Sequence, residues 1–245
     1  MNRYKCIVSY DGTYFHGYQI QPEGRTVQGV IQAAIDKMHK QSMPLIVASG
    51  RTDQGVHAIG QVFHFDSPLA IAPEKWQKAL NALTDDDIYI RQVEQVPNDF
   101  HARFDVVKKA YQYRIMRAYP DVFRRYYAYY YPYPLAIEQM KEAAKQLVGT
   151  HDFSAFCAAN TTVTDKVRTI YTIDIMEERD ELVFRFTGNG FLYNMVRILV
   201  GTLLEVGANK RGLAEVEKAL SSGDRRLAGV TSPSHGLYLE EVMYK

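Results

Sequence analysis

Arg51 and Asp53 stand one residue apart in SGRTDQGVHA, a polar, glycine-bounded segment that follows a short apolar run. Loops of this kind, carried by a rigid scaffold, often hold reacting side chains. A guanidinium beside a carboxylate lowers its pKa and keeps it ionised at neutral pH. Asp53 is then a competent nucleophile or general base. Thr-Asp-Gln-Gly is equally good turn chemistry, with the Asp side chain accepting from nearby backbone amides. The residue types alone leave both readings open.

A second concentration of chemistry lies further along. Arg103, Lys108, Lys109, Arg114, Arg117, Arg124 and Arg125 fall between His101 and Arg125, opposed there only by Asp105 and Asp121. Half of the chain's 18 tyrosines crowd the stretch from Tyr111 to Tyr133. Basic side chains interleaved with rings suit a phosphate backbone with exposed bases. A solvated strand with an aromatic core face accounts for the composition as well. The net charge is +1, from 29 Lys and Arg against 28 Asp and Glu, so any RNA-binding surface must come from segregation of charge. His57 and His64 flank the strand after the Asp53 loop without metal-ligand spacing and are expected to face RNA or to be structural. No metal site is expected. Asp85, Asp86 and Asp87 look like a loop cap, and the glycines of GNGFLYN match no phosphate-binding pattern.

The elements that must position these groups follow from periodicity. Tyr4, Cys6, Val8 and Tyr10 alternate along an opening strand, residues 3–10. Val27, Val30, Ile31, Ala34, Ile35 and Met38 repeat at helical spacing behind Thr26, an N-cap candidate. Residues 44–48 form a short strand into the Asp53 loop, and residues 60–65 alternate as the strand leaving it. A helix with Pro73 in its first turn covers 72–83, a strand 88–96, and the long basic strand 108–117. In the second half, Ile137, Met140, Ala144, Leu147 and Val148 share a helical face, and residues 167–176 and 182–187 form a hairpin turning at 177–181. Leu192, Met195, Val196, Leu199, Val200 and Leu203 mark another helix, before a charged one at 213–220 and a last strand at 237–244. Strands and helices mix without βαβ alternation, which predicts an α+β fold with a largely antiparallel sheet. The matching helix spacing suggests pseudo-duplication, with an N-terminal half, 1–132, carrying the Asp53 loop and a C-terminal half, 133–245, completing a cleft.

With 245 residues, 47% of them hydrophobic, the chain can bury a core without staples, so Cys6 and Cys157 are expected to be structural. No run nears the ~18 apolar residues needed to span a bilayer, and the opening MNRYKCIVSYDG lacks a signal-peptide pattern. A cytoplasmic protein is the default expectation.

GRTDQGVHA resembles the signature loop of the TruA family of tRNA pseudouridine synthases, which commonly carry Ala where this chain has Gln54. YDGTYFHGYQIQ, FHARFDVVKKAYQYRI, GNGFLYNMVRILVGTLLEVG and SPSHGLYLEEVMY resemble further family blocks in the same order, so the likeness spans nearly the whole chain. The resemblance implies that Asp53 is the catalytic carboxylate and that Tyr111, in KKAYQYR, packs on the target uracil. It implies that Arg197, in YNMVRILVG, pairs with the catalytic Asp, and that Arg51 acts on the RNA backbone. Read alone, Tyr111 is an ordinary strand aromatic. Arg197 adjoins an apolar helix face, where an unpaired charge is costly and a carboxylate partner is favoured. The resemblance also implies RRM-like halves, a homodimer, and uridines 38 to 40 of the tRNA anticodon stem-loop as targets; such a reaction is an isomerisation, so no cofactor is expected. Two rivals are an RNA-binding module without chemistry, which leaves the Arg51–Asp53 loop unexplained, and a glycoside hydrolase, which needs a second carboxylate.

Overall fold

The computed structural model describes residues 1–159, 161 and 163–245. In chain order the elements are β1 (Asn2–Tyr10), α1 (Val27–His39), β2 (Val47–Ala48), β3 (His57–Ser67), α2 (Pro73–Leu83), β4 (Ile88–Val96), β5 (Val106–Met116) and β6 (Tyr129–Tyr130). They continue with α3 (Ile137–Leu147), β7 (Gly149–Asp152), β8 (Val167–Glu178), β9 (Glu181–Gly188), α4 (Met195–Gly207), α5 (Leu213–Ser222) and β10 (Leu237–Tyr244). The class is α+β with mostly antiparallel pairing, as the mixed periodicities predict. The chain divides into two compact units, Met1–Val107 with Tyr238–Lys245, and Lys108–Leu237.

In the first unit β1 lies between β3 and β4, antiparallel to both, while β2 pairs antiparallel with β3. The resulting β4-β1-β3-β2 order, with one helix before β2 and one before β4, is RRM-like. β10 adds to β3 in parallel, through Tyr238 and Leu239 against His57 and Ala58. Alternation along β1 buries Tyr4, Cys6, Val8 and Tyr10. Trp76 of α2 closes over this face, with its ring 5.5 Å from Tyr4 and 5.0 Å from Phe65. Thr26 caps α1 as expected, its Oγ1 accepting from the Gly29 amide at 3.3 Å. Pro73 opens α2 where a missing N–H costs nothing.

Two local expectations shift here. The strand before the Asp53 loop shrinks to two residues, because α1 side chains take over the backbone of Ile46. Gln28 Nε2 donates to its carbonyl and Gln32 Oε1 accepts from its amide, each at 3.0 Å. β3 is buried at nearly every position rather than alternately. Its second face is covered by the segment around Ala102, whose amide donates to His64 Nδ1 at 3.1 Å and whose carbonyl accepts from Tyr244 Oη at 2.6 Å.

In the second unit β9 lies between β5 and β8, antiparallel to both, and β7 extends the β8 edge. The β5-β9-β8 order repeats the first-third-second order of β1-β3-β2, which fits a duplication. The β8–β9 hairpin turns through Arg179, in the left-handed region at φ 55, which puts the turn inside the expected 177–181. The helix marked by the second apolar repeat starts at Met195, so Leu192 precedes it, and Val148 caps α3 rather than extending it. α4 is buried on most of its circumference, so it runs through the core of this unit.

Candidate active site

The SGRTDQGV loop joins β2 to β3 inside the first unit, and its backbone is fixed from several sides. Gln61, fully buried on β3, accepts from Ser49 Oγ at 2.6 Å and donates to the Gly50 carbonyl at 3.0 Å. Thr52 shares a 2.7 Å hydrogen bond with Tyr10 Oη, and its carbonyl accepts from the Tyr18 amide at 3.0 Å. Beyond Asp53 the chain turns back, with the Val56 amide donating to the Asp53 carbonyl at 3.1 Å and Gly55 at φ 75. Thr52 is buried, Asp53 half-buried and Arg51 exposed, so the loop presents a carboxylate and a cation from an anchored base.

The preceding loop, residues 11–26, packs against this base through two glycines. A Cβ on Gly12 would lie 2.1 Å from the Val56 carbonyl oxygen. Gly17, at φ 91, puts the Cβ position 3.0 Å from the Thr52 carbonyl oxygen. Only glycine allows both the approach at the first and the left-handed backbone at the second. Burial pushes the Tyr10 phenol well above its ordinary range, so it stays a neutral hydrogen-bonding partner of Thr52.

Both histidines of the region are structural. His57 is 2% exposed, stacks on Tyr238 at 4.7 Å, and accepts the Gly12 amide proton at Nδ1, 3.0 Å away. The same Nδ1 lies 3.2 Å from Asp11 Oδ1. His64 is likewise buried and an acceptor. Neither faces RNA.

In the second unit Tyr111 sits opposite Phe186 in the β5–β9 ladder, half-exposed, with its ring edge-on to Phe191 at 5.2 Å. Tyr113 follows on the same strand face, fully buried, its Oη donating to the Pro233 carbonyl at 2.8 Å. Arg197 occupies the first turn of α4. Its Nε donates to the Ser232 carbonyl at 2.7 Å and Nη1 to Asn194 Oδ1 at 2.8 Å. A cation at a helix N-terminus opposes the macrodipole and needs such oxygen partners. The 228–233 segment that brings Ser232 there crosses α4 at Gly201 and Thr202, where Thr202 Oγ1 accepts from the Gly229 amide at 2.8 Å. Arg197 also lies close enough to Tyr113 for its charge to act on the phenol, which burial nonetheless raises.

The structure therefore places Arg51 and Asp53 on one braced loop, Tyr111 two residues before Tyr113 on β5, and Arg197 close enough to Tyr113 to act on its phenol. The braces themselves, Gln61, Tyr10, Thr52, Asn194 and Ser232, were not singled out from sequence. Gln61 carried a visible signal, a polar residue in line with Phe63 and Phe65 along the strand. The basic run is partly consumed within its unit. Arg114 Nε donates to buried Glu181 at 2.6 Å, Arg124 reaches Glu181 and, at 2.9 Å, Asp180, and Arg117 pairs with Glu177 at 3.1 Å. Among the described residues no three His, Cys, Asp or Glu side chains are placed to hold a metal ion.

Comparison with known proteins bears on this arrangement. A family model described as tRNA pseudouridine synthase matches residues 6–105 and 143–245. The tRNA pseudouridine synthase A of Bacillus pumilus is 57% identical over 242 residues, covering 98% of each chain. That of Bacillus subtilis is 54% identical over 244 residues, covering 99% of each. A chain from a Cbf5–Nop10–Gar1 complex aligns at 14% identity over 82% of this chain and 54% of its own, with a TM-score of 0.35, too low to inform the fold. The match across most of the length, with the Asp53 loop inside the first matched block, means that this chain belongs to the tRNA pseudouridine synthase family.

Proposed function

We propose that the protein isomerises uridine to pseudouridine in the tRNA anticodon stem-loop, at positions 38, 39 and 40, with Asp53 as the catalytic carboxylate and Tyr111, Arg51 and Arg197 binding the substrate. The reaction breaks the N1–C1′ bond, turns the freed uracil, joins C5 to C1′, and exchanges the C5 proton for one on N1. Its balance calls for no redox equivalent. It calls for an ionised carboxylate beside the sugar, a surface that holds a detached base, and a means of taking that base from its stack.

The observation that supports the reading most is the anchoring of the Asp53 loop. A turn that served only to reverse the chain would not need a buried Gln, a buried Tyr and two closely packed glycines behind it. Preorganisation of that kind is what a carboxylate aimed at one carbon atom requires. Attack on C1′ gives a glycosyl ester; removal of the C2′ proton gives a glycal. Both routes use Asp53. Tyr111, half-exposed on β5, returns ~1–3 kcal/mol by stacking on an extruded base. We further propose a cytoplasmic homodimer, in which two chains together offer tRNA more cationic surface than one.

The test is an unmodified tRNA transcript tritiated at uridine C5, incubated with the protein in EDTA. Tritium release by the wild type and none by Asp53→Ala is the expected result. Tight tRNA binding by both proteins without release would instead make this a binding module.

A further inference from the structure

We propose that Arg25 is a positioning residue for Asp53, clamping the 11–26 loop that braces the catalytic turn; the proposal rests on the catalytic reading of Asp53. That loop is long, rich in Gly and Gln, and has no regular structure between β1 and α1. Chain entropy alone would leave it free, yet Gly12 and Gly17 contact the residues on either side of Asp53. Something must hold its shape.

Arg25 does so from three directions. Its guanidinium binds Asp87 in a fork, Nη1 to Oδ2 at 2.6 Å and Nη2 to Oδ1 at 2.9 Å, and Nη2 also reaches Asp85 at 2.6 Å. The same plane lies over the ring of Phe15, 4.2 Å from its centroid, and Phe15 is 1% exposed. The Arg25 carbonyl accepts from the His16 amide at 2.8 Å, closing the loop on itself. Asp87 also accepts the Asp11 amide through its own carbonyl at 2.9 Å, so the turn before β4 grips the loop at its start and near its end. The acidic cluster that looked like a loop cap is thus the fixed jaw of the clamp. Displacing the loop shifts the carbonyls of Thr52 and Val56, and Asp53 lies between them.

The test uses the full chain and the tritiated transcript. The variants are Arg25→Ala, Arg25→Lys, Asp87→Asn and Asp53→Ala. Three quantities are measured: the single-turnover rate at saturating enzyme, tRNA affinity across salt, and the thermal midpoint. Misplacing a reacting group by about 1 Å can cost on the order of 100-fold. Arg25→Ala and Asp87→Asn are each expected to slow the reaction about 10- to 100-fold with tRNA affinity unchanged. Their double variant should be no slower than either alone. Arg25→Lys should recover part of the rate, since an ammonium keeps the charge but not the fork. A direct grip of Arg25 on RNA predicts the opposite split: Arg25→Ala weakens binding and flattens its salt dependence, while Asp87→Asn leaves the rate intact. That outcome overturns the clamp, as does a rate per folded molecule that stays at the wild-type value. Tritium release by Asp53→Ala would overturn the catalytic reading and the clamp together, whereas an inactive Asp53→Ala beside fully active Arg25→Ala sinks the clamp alone.

Discussion

Tyr111 and Tyr113 are two residues apart on one strand face, yet burial assigns them different work. Tyr113 is sealed and spends its hydroxyl on Pro233, whereas Tyr111 is half-exposed. Tyr111→Ala is therefore expected to reduce turnover about 5- to 150-fold while changing tRNA affinity little, because stacking on the detached base is worth ~1–3 kcal/mol only after extrusion. Equal losses in rate and affinity, measured by single turnover and filter binding, would remove it from the base pocket. His64 gives a residue-scale prediction for pH. Burial, then the charges of Arg3 and His101, lowers its pKa from 6.5 to about 4. Between those values the unfolded chain binds a proton that the folded chain refuses, so stability is full above pH 6.5 and falls as pH drops toward 4. The loss is at most about 3 kcal/mol and should shrink in His64→Gln, as denaturant midpoints across that window will show. Asp66, held below its ordinary range by Arg3, adds its own loss only at lower pH.

At the scale of elements, α4 and the 228–233 segment depend on the absence of side chains between them. A Cβ on Gly201 would fall 1.8 Å from the Val230 carbonyl oxygen. Gly201→Ala should then push the segment off the helix and cost about 3 kcal/mol or more, readable as a lower thermal midpoint. The same displacement carries Ser232 away from Arg197, so the residual folded enzyme should also turn over more slowly. Normal stability with normal rate would show that the helix and segment can part without consequence. The 11–26 loop obeys the same logic at Gly12, where backbone meets backbone behind Asp53.

For the whole molecule, the distribution of charge matters more than its total of +1. Arg114, Arg117 and Arg124 answer the carboxylates of the β8–β9 hairpin, so composition overstated what they offer to RNA. Arg114→Ala is expected to destabilise the fold by roughly 2–3 kcal/mol, less than for a wholly orphaned buried charge because Arg124 still reaches Glu181. It should leave the salt dependence of tRNA binding unchanged. Exposed Arg103 or Lys108 is the contrast: replacing either by Ala should leave stability near wild type and lower the salt slope by about one. Salt titrations that put Arg114 with the second group would return the whole run to the RNA surface.

Local sequence determined the elements and pointed to the carboxylate proposed to react. Period-two alternation in β1, the Thr26 cap, Pro73 at the start of α2 and the last strand are all decided by neighbours in the chain, where sterics and hydrogen bonding act within a few residues. Asp53 stood out locally only as a carboxylate beside Arg51 in a glycine-bounded turn, and its proposed role came from the resemblance of that loop to the family signature. What holds Asp53 was not legible. Gln61, Tyr10, Gly12 and Arg25 meet the loop or its support only after β1, β3 and the turn before β4 come together, and no spacing in the sequence encodes those contacts. The tertiary structure alone decided that three arginines of the basic run face carboxylates, that β3 is covered on both faces, and that His57 and His64 are buried acceptors. Burial and charge pairing depend on partners far along the chain, and only packing selects them.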